Sequence, residues 1–266
     1  MNRISSDDAE IGYTVLGNGP ALILLHAFPA THELWLPAAQ FLLTRYRVII
    51  PDLRGHGASS AGQGVATMTK HASDVMKICE AQRIERAVFA GISIGGYILF
   101  ELWRRYRERV AALILCNTRA QPDTPEARAA RLRSAEDVLG RGTEPFVESM
   151  IPKLLGNTTR ETRPDLVDAA RRMMLKMLPK SLSQVQQGLA ERQDSVPTLK
   201  TINVPTLVLA GDEDQIATLS DAELMRSNIP GAQIRVLPRA GHYGIFEQYE
   251  NAGKLIREFV DTLPRN

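Results

Sequence analysis

Short apolar runs alternate along this chain with stretches whose apolar residues recur at helical spacing. Tyr13-Thr14-Val15-Leu16 reads as a short early strand, closed by the turn Gly17-Asn18-Gly19-Pro20. Ala21 to Leu25 is apolar throughout, as expected of a strand buried on both faces. Tyr46 to Ile50, Ala87 to Ala90, Val110 to Leu115, Pro205 to Ala210 and Gln233 to Leu237 read as further strands. Between them, Leu34 to Leu43 looks helical. Met68 to Ala81 carries helical spacing at Ala72, Val75, Met76 and Cys79, and Tyr97 to Tyr106 is helix-like. A helix around Ser220 to Asn228 separates the last two strands, and Phe246 to Leu263 closes the chain as an amphipathic helix. This alternation predicts an α/β fold, a mostly parallel sheet with helices on both faces.

From about Arg119 to Lys200 the alternation stops. No convincing strand occurs there, and several helical patterns do. The clearest is Asp165 to Leu178, with apolar residues at Leu166, Ala170, Met173, Met174 and Met177 between Pro164 and Pro179. The expected organisation is a sheet-bearing core from 1–118 and 201–266, with a helical insertion over 119–200.

The chain has 266 residues, enough for one large domain or a core plus an insertion. A net charge of +2 gives no ground for a nucleic-acid or anionic-membrane partner. Met1 to Glu10 is polar and has no apolar h-region, and no apolar run is long enough to span a bilayer, so the expected setting is cytoplasmic. Cys79 and Cys116 lie in helical or apolar runs and read as reduced, buried thiols. No C-x-x-C or His/Cys cluster suggests a metal.

The candidate chemistry centres on Gly91-Ile92-Ser93-Ile94-Gly95, which follows a strand and precedes a helix. Strand, G-x-S-x-G, helix is the setting of a nucleophile elbow, in which a sharp turn exposes the serine hydroxyl. The five-residue pattern alone arises by chance in roughly one chain in ten of this length, so its neighbours must carry the case. A serine needs a base, and the base an orienting acid. Of the five histidines, only His242 follows a late strand, in Arg239-Ala240-Gly241-His242-Tyr243. Acids follow Leu207 to Ala210, in Gly211-Asp212-Glu213-Asp214, at the end of a strand where such sheets build their sites. Asp214 is favoured over Asp212, because the residue nearest the strand is more often used in the turn, and over Glu213. Oxyanion donors are expected at the Ile94 amide and in His26-Ala27-Phe28-Pro29, after an early strand. Pro29 has no N–H, which leaves Phe28 or Ala27, with Phe28 preferred.

At this point the chain resembles the α/β-hydrolase superfamily over nearly its whole length. His26-Ala27-Phe28-Pro29 is similar to the family's H-G-x-P, and Asp52-Leu53-Arg54-Gly55-His56-Gly57-Ala58-Ser59 to its D-x-R-G-x-G-x-S. The elbow, Gly211-Asp212-Glu213-Asp214 (like G-x-x-D) and Gly241-His242 complete the set. The resemblance implies an eight-stranded sheet with a helical cap after the sixth strand, and it supports Asp214 as the fourth position of G-x-x-D. One departure is Ala27 where glycine is usual; its methyl narrows the oxyanion loop. The Asp52 to Ser59 stretch then reads as structural, with Arg54 tying the loop down and His26 buttressing the oxyanion loop.

The resemblance trims the chemistry. Dehalogenases and epoxide hydrolases of this layout use an aspartate nucleophile where this chain has Ser93, and no Tyr occurs between Arg119 and Lys200. Hydroxynitrile lyases place a lysine near the histidine, and Arg239 to Tyr243 has none. What remains is acyl transfer to water on a small-molecule ester or lactone, as in small bacterial carboxylesterases, enol-lactonases and haloperoxidase-like esterases. Cleavage of an activated carbon–carbon bond, a perhydrolase side reaction and a slow-turnover ligand receptor are the alternatives. Phe28, Tyr243 and the cap residues Phe146, Met150, Met173, Met174 and Met177 are candidate pocket walls, although methionines between cap helices more often serve packing. Cap arginines Arg171 and Arg172 read as solvated surface. The proposed chemistry uses side chains, amides and water, and so implies no cofactor. The sequence carries no signal for oligomeric state.

Overall fold

In the computed structural model, which describes residues 1–264, eight strands form one sheet: β1 Asn2–Ser6, β2 Ala9–Leu16, β3 Ala21–Leu25, β4 Arg47–Pro51, β5 Ala87–Ile92, β6 Val110–Cys116, β7 Thr206–Gly211 and β8 Gln233–Leu237. Their order is β1-β2-β4-β3-β5-β6-β7-β8. The first two pairings, β1 with β2 and β2 with β4, are antiparallel, and the rest are parallel. The sheet is therefore mixed and mostly parallel.

Strand side chains alternate between two cores, as the period-2 pleat requires. Ile23, Leu25, Phe89, Leu113, Leu115 and Val208 face one core, with Ala72, Val75 and Cys79 of helix Met68–Ala81 and Ile98 and Leu102 of helix Ile94–Tyr106. Leu22, Leu24, Ala90, Ile114 and Leu209 face the other, with Leu34, Trp35 and Ala38 and with Ala252, Ile256 and Val260 of helix Tyr249–Asp261. Helices cover both faces, which is why the central strands are apolar throughout rather than alternating.

The sequence missed one strand and read two interrupted helices as continuous ones. Asn2-Arg3-Ile4-Ser5-Ser6 has a single apolar side chain, and becomes a strand only by pairing at the sheet edge, Ile4 opposite Ile11. Asp7, with φ 49°, supplies the left-handed backbone of the tight turn to β2. The helix expected over Leu34 to Leu43 is instead a 3-10 turn, His32–Leu34, and a short helix, Leu36–Ala39. Pro37, in its first turn, has no N–H to extend a helix from the preceding turn. The closing helix is likewise split, Gly244–Glu247 and then Tyr249–Asp261.

Between β6 and β7 lie five helices of six residues or more: Pro125–Arg141, Thr143–Leu154, Asn157–Thr162, Pro164–Met174 and Pro179–Ala190. Three start on a proline, which is pre-set for the first helical position. This is the helical cap after the sixth strand. Its two ends are clasped together where they leave the core: Ser195 N–H donates to Ala120 O at 2.9 Å, and Arg192 Nη2 to Gln121 O at 3.2 Å.

Candidate active site

The order of the sheet brings the site together. After β3 the chain runs outward to β4, then returns to the opposite side of β3 as β5. Loops leaving β3 and β5 therefore diverge, and a crevice opens at their carboxyl ends. The β3 loop carries Phe28 and the β5 turn carries Ser93.

Ser93 has φ 55° and ψ −113°, an uncommon backbone for a residue with a side chain. The turn holds because its flanks lack side chains. A Cβ on Gly91 would lie 2.6 Å from Gly95 O, and one on Gly95 would lie 2.6 Å from Leu25 O. Ser93 N–H donates to Cys116 O at 3.1 Å and its carbonyl accepts from Thr118 Oγ1 at 2.8 Å, so the strained residue is pinned from β6. The residue stays partly exposed.

His242 Nε2 lies 2.7 Å from Ser93 Oγ. His242 Nδ1 lies 2.9 Å from Asp214 Oδ2 and 3.1 Å from Oδ1. A carboxylate only accepts, so Nδ1 carries the proton and Nε2 presents its lone pair to the serine. Asp214 Oδ1 also accepts from the amides of Ile216 at 2.8 Å and Ala217 at 3.0 Å, and Oδ2 from Asn117 Nδ2 at 3.0 Å. Burial would raise the Asp214 carboxyl, but the His242 ring, the Asn117 amide and the Ala217 N–H together hold it below the ordinary carboxylate value. The competing acids are engaged elsewhere. Asp212 Oδ1 accepts from Ala240 N–H at 3.3 Å, and Glu213 accepts from Thr158 N–H of the cap at 2.9 Å and from the Thr158 hydroxyl.

Ile94 is the first residue of the elbow helix, whose leading N–H groups have no intrahelical partner. The Phe28 loop is braced by His26, whose Nδ1–H donates to Ala27 O at 2.8 Å while Nε2 accepts from Leu53 N–H at 2.9 Å. The Phe28–Pro29 peptide is cis. The Phe28 ring meets His56 at 5.9 Å and Phe146 of the cap at 5.8 Å between centroids. Tyr243 is fully buried, with its hydroxyl donating to Phe28 O at 3.5 Å. Met177 packs in the same core as Phe28 and Ile94, with Phe146 against it. Met173 and Met174 pack in the other core with Ile151 and Leu154, with Met150 against them. Arg171 is engaged by Glu148 and Asp168 on the cap surface, and Arg172 is exposed.

The Asp52 to Ser59 loop is a structural knot. Arg54 is fully buried and donates to Asp74 at 2.9 and 2.7 Å and to Asp8 at 2.5 Å, which ties the loop to helix Met68–Ala81 and the β1–β2 turn. Asp52 accepts from His32 N–H at 2.8 Å, His32 Nδ1 at 2.9 Å and Ala58 N–H at 2.9 Å. Against the cost of burial, these bonds hold its carboxyl down at about 2.

Three polar residues around the site gave no signal in the sequence: Asn117, Glu247 and Thr118. Glu247 Oε1 accepts from Gly241 N–H at 3.0 Å and Oε2 from Gly156 N–H at 2.8 Å, joining the histidine loop to the cap. Each sits outside a recognisable spacing, and only the fold brings it near the others. Cys79 and Cys116 are free and buried, and burial raises both thiols, Cys79 to about 12. Among the described residues, no helix is long and apolar enough to cross a membrane.

Comparison with known proteins agrees with this architecture. A family model of the alpha/beta hydrolase fold matches residues 20–249. The chain is 28% identical over 249 residues to 3-oxoadipate enol-lactonase 2 of Acinetobacter baylyi, covering 93% of this chain and 91% of that protein. A thermophilic esterase from Thermogutta terrifontis, solved with malate bound, superposes with a TM-score of 0.95 at 37% identity over 98% of both chains. The enol-lactonase from Burkholderia xenovorans LB400 superposes with a TM-score of 0.91 at 25% identity, covering 98% of this chain and 100% of the other.

Proposed function

The chain belongs to the α/β-hydrolase fold family, and from that premise we propose that it is a serine hydrolase that cleaves a small to medium carboxylic ester or lactone through an acyl-enzyme on Ser93. The observation that carries this reading is the continuous line from Asp214 through His242 to Ser93, with His242 Nε2 2.7 Å from Ser93 Oγ. Esterases and enol-lactonases among the relatives support the substrate class. The free, buried thiols accord with a reducing, cytoplasmic setting.

Ser93 Oγ attacks the carbonyl carbon while His242 Nε2 takes its proton. Asp214 keeps the imidazole in the Nδ1–H tautomer and stabilises the imidazolium. The carbonyl oxygen becomes an oxyanion held by the amides of Ile94 and Phe28; loss of one such donor costs about 3 kcal/mol of barrier. His242 then gives its proton to the leaving alkoxide, which departs as an alcohol, or in a lactone stays tethered to the acyl group. Water, deprotonated by the same nitrogen, attacks the acyl-enzyme and releases the acid and the free serine. Phe28, Phe146 and Met177 shape the walls, with the Phe28–Phe146 contact spanning core and cap, whereas Met150, Met173 and Tyr243 pack in the other core.

The test is hydrolysis of a p-nitrophenyl ester series, acetate to laurate, and of small lactones, by wild type and Ser93→Ala in parallel. Turnover that Ser93→Ala loses while keeping its circular dichroism and melting temperature supports the reading. Full hydrolysis by a clean Ser93→Ala preparation refutes it.

A further inference from the structure

Asn117 directly follows β6, one residue before the hydroxyl that pins Ser93. It is 1% exposed, and its Nδ2 donates twice, to Asp214 Oδ2 at 3.0 Å and to Gly241 O at 3.1 Å. Both partners only accept, so the atom facing them must be the NH₂ group. Gly241 immediately precedes His242, and its own N–H is held by Glu247 at 3.0 Å. One amide nitrogen therefore ties the carboxylate of the acid to the main chain beside the base.

Two costs accompany this placement. Asn117 has φ 42°, in the left-handed region, and its Oδ1 is buried without a hydrogen-bond partner. Backbone strain and an orphaned carbonyl each lower stability, and such costs gather where geometry serves a site. A residue chosen for stability alone would avoid both.

We propose that Asn117 is a positioning residue, holding the Asp214 carboxylate and the His242 loop in register so that Nδ1–H points at the acid and Nε2 at Ser93. The assignment rests on the reading of Ser93, Asp214 and His242 as the reacting set. Without the Nδ2 donor, Asp214 Oδ1 keeps its two backbone amides but Oδ2 is left with His242 alone, and the Gly241 carbonyl loses its tether. The imidazolium formed in the transition state is then stabilised less well, while the crevice that binds substrate is untouched.

The experiment compares wild type, Asn117→Ala and Asn117→Gly, each titrated for active sites with a fluorophosphonate that phosphonylates the nucleophilic serine. Both variants remove the amide, but Gly accepts the left-handed backbone without strain and Ala does not. kcat and KM per titrated site are measured on one p-nitrophenyl ester, and the downfield proton signal of His242 Nδ1–H is followed by NMR. Expected is a loss of about 10- to 100-fold in kcat in both variants, the size of a lost hydrogen bond to a charged group. KM should stay within about twofold, and the downfield signal should be broadened or lost. Either of two results overturns the proposal: kcat per site within about twofold of wild type, or a loss in the Ala variant that the Gly variant does not share. Should Asn117→Ala fail to fold, Asn117→Gly decides alone. A wild type that neither labels nor turns over refutes the underlying triad reading, and this assignment falls with it; a labelled, active wild type with undiminished variants refutes the Asn117 assignment only.

Discussion

Acid should loosen this protein through its buried histidines, and His56→Asn should blunt that response. His56 is 1% exposed. Its Nδ1–H donates to Arg54 O at 3.0 Å, and its Nε2 is buried with no partner. Protonating Nε2 in the native state would place a charge on a buried atom that makes no hydrogen bond. Burial accordingly pushes this imidazole from 6.5 down to about 4, although the Arg54 carbonyl, Asp52 and the Leu53 backbone pull the other way. The unfolded chain thus binds a proton in a range where the native state does not. The stability held by the neutral ring is complete above about pH 6.5 and is lost as pH falls towards about 4. By about pH 5 the loss amounts to about 2 kcal/mol for His56 alone. Burial lowers His26 and His71 as well, so they act in the same direction. Burial raises the Asp74 and Glu247 carboxyls, which opposes the trend nearer the carboxylate range. The clean quantity is therefore the difference between wild type and His56→Asn, since Asn keeps an N–H for the Arg54 carbonyl but does not titrate. Urea unfolding, followed by fluorescence of Trp35 and Trp103, would be run at about pH 7.5 and about pH 5. The drop in unfolding free energy should be smaller in His56→Asn by about 2 kcal/mol. Equal drops in the two proteins would refute the reasoning, because the native ring would then be taking up its proton as readily as the unfolded one.

Two further outcomes follow from the geometry around Ser93. Gly91→Ala should cost about 2–3 kcal/mol or prevent folding, since its Cβ would lie 2.6 Å from Gly95 O, a backbone atom that cannot swing away; a melting temperature unchanged from wild type would contradict it. Phe146→Ala removes a half-buried ring from the face of Phe28. It should lower stability by about 1–2 kcal/mol and move the ester chain-length optimum upward, and an unchanged optimum in the p-nitrophenyl series would exclude Phe146 from the pocket wall.

What the sequence alone determined is what local chemistry controls. The central strands were legible because helices cover both faces of the sheet, leaving runs such as Leu22-Ile23-Leu24-Leu25 with no reason to be polar. The elbow was legible because only glycine tolerates the approach of Gly91 to Gly95 and of Gly95 to Leu25. The order Ser93, Asp214, His242 was legible because each residue follows a readable strand, and strand ends on one side of a parallel sheet converge. The cap was legible as a place where period-2 runs stop.

Other features depended on distance in space rather than spacing in sequence. β1 exists through its pairing with β2, since Asn2 to Ser6 has little apolar surface of its own to announce it. Asn117 reads as an ordinary polar residue after a strand, and only the packing of β6 beside β7 brings its amide to Asp214, 97 residues later, and to Gly241. Glu247 and Gly156 are 91 residues apart and share a hydrogen bond because the cap folds back over the histidine loop. Hydrophobic periodicity and turn chemistry act over a few residues, so the sequence specifies elements and their ends. The buried polar contacts between those ends form only once the whole chain has closed, and the tertiary structure alone decides them.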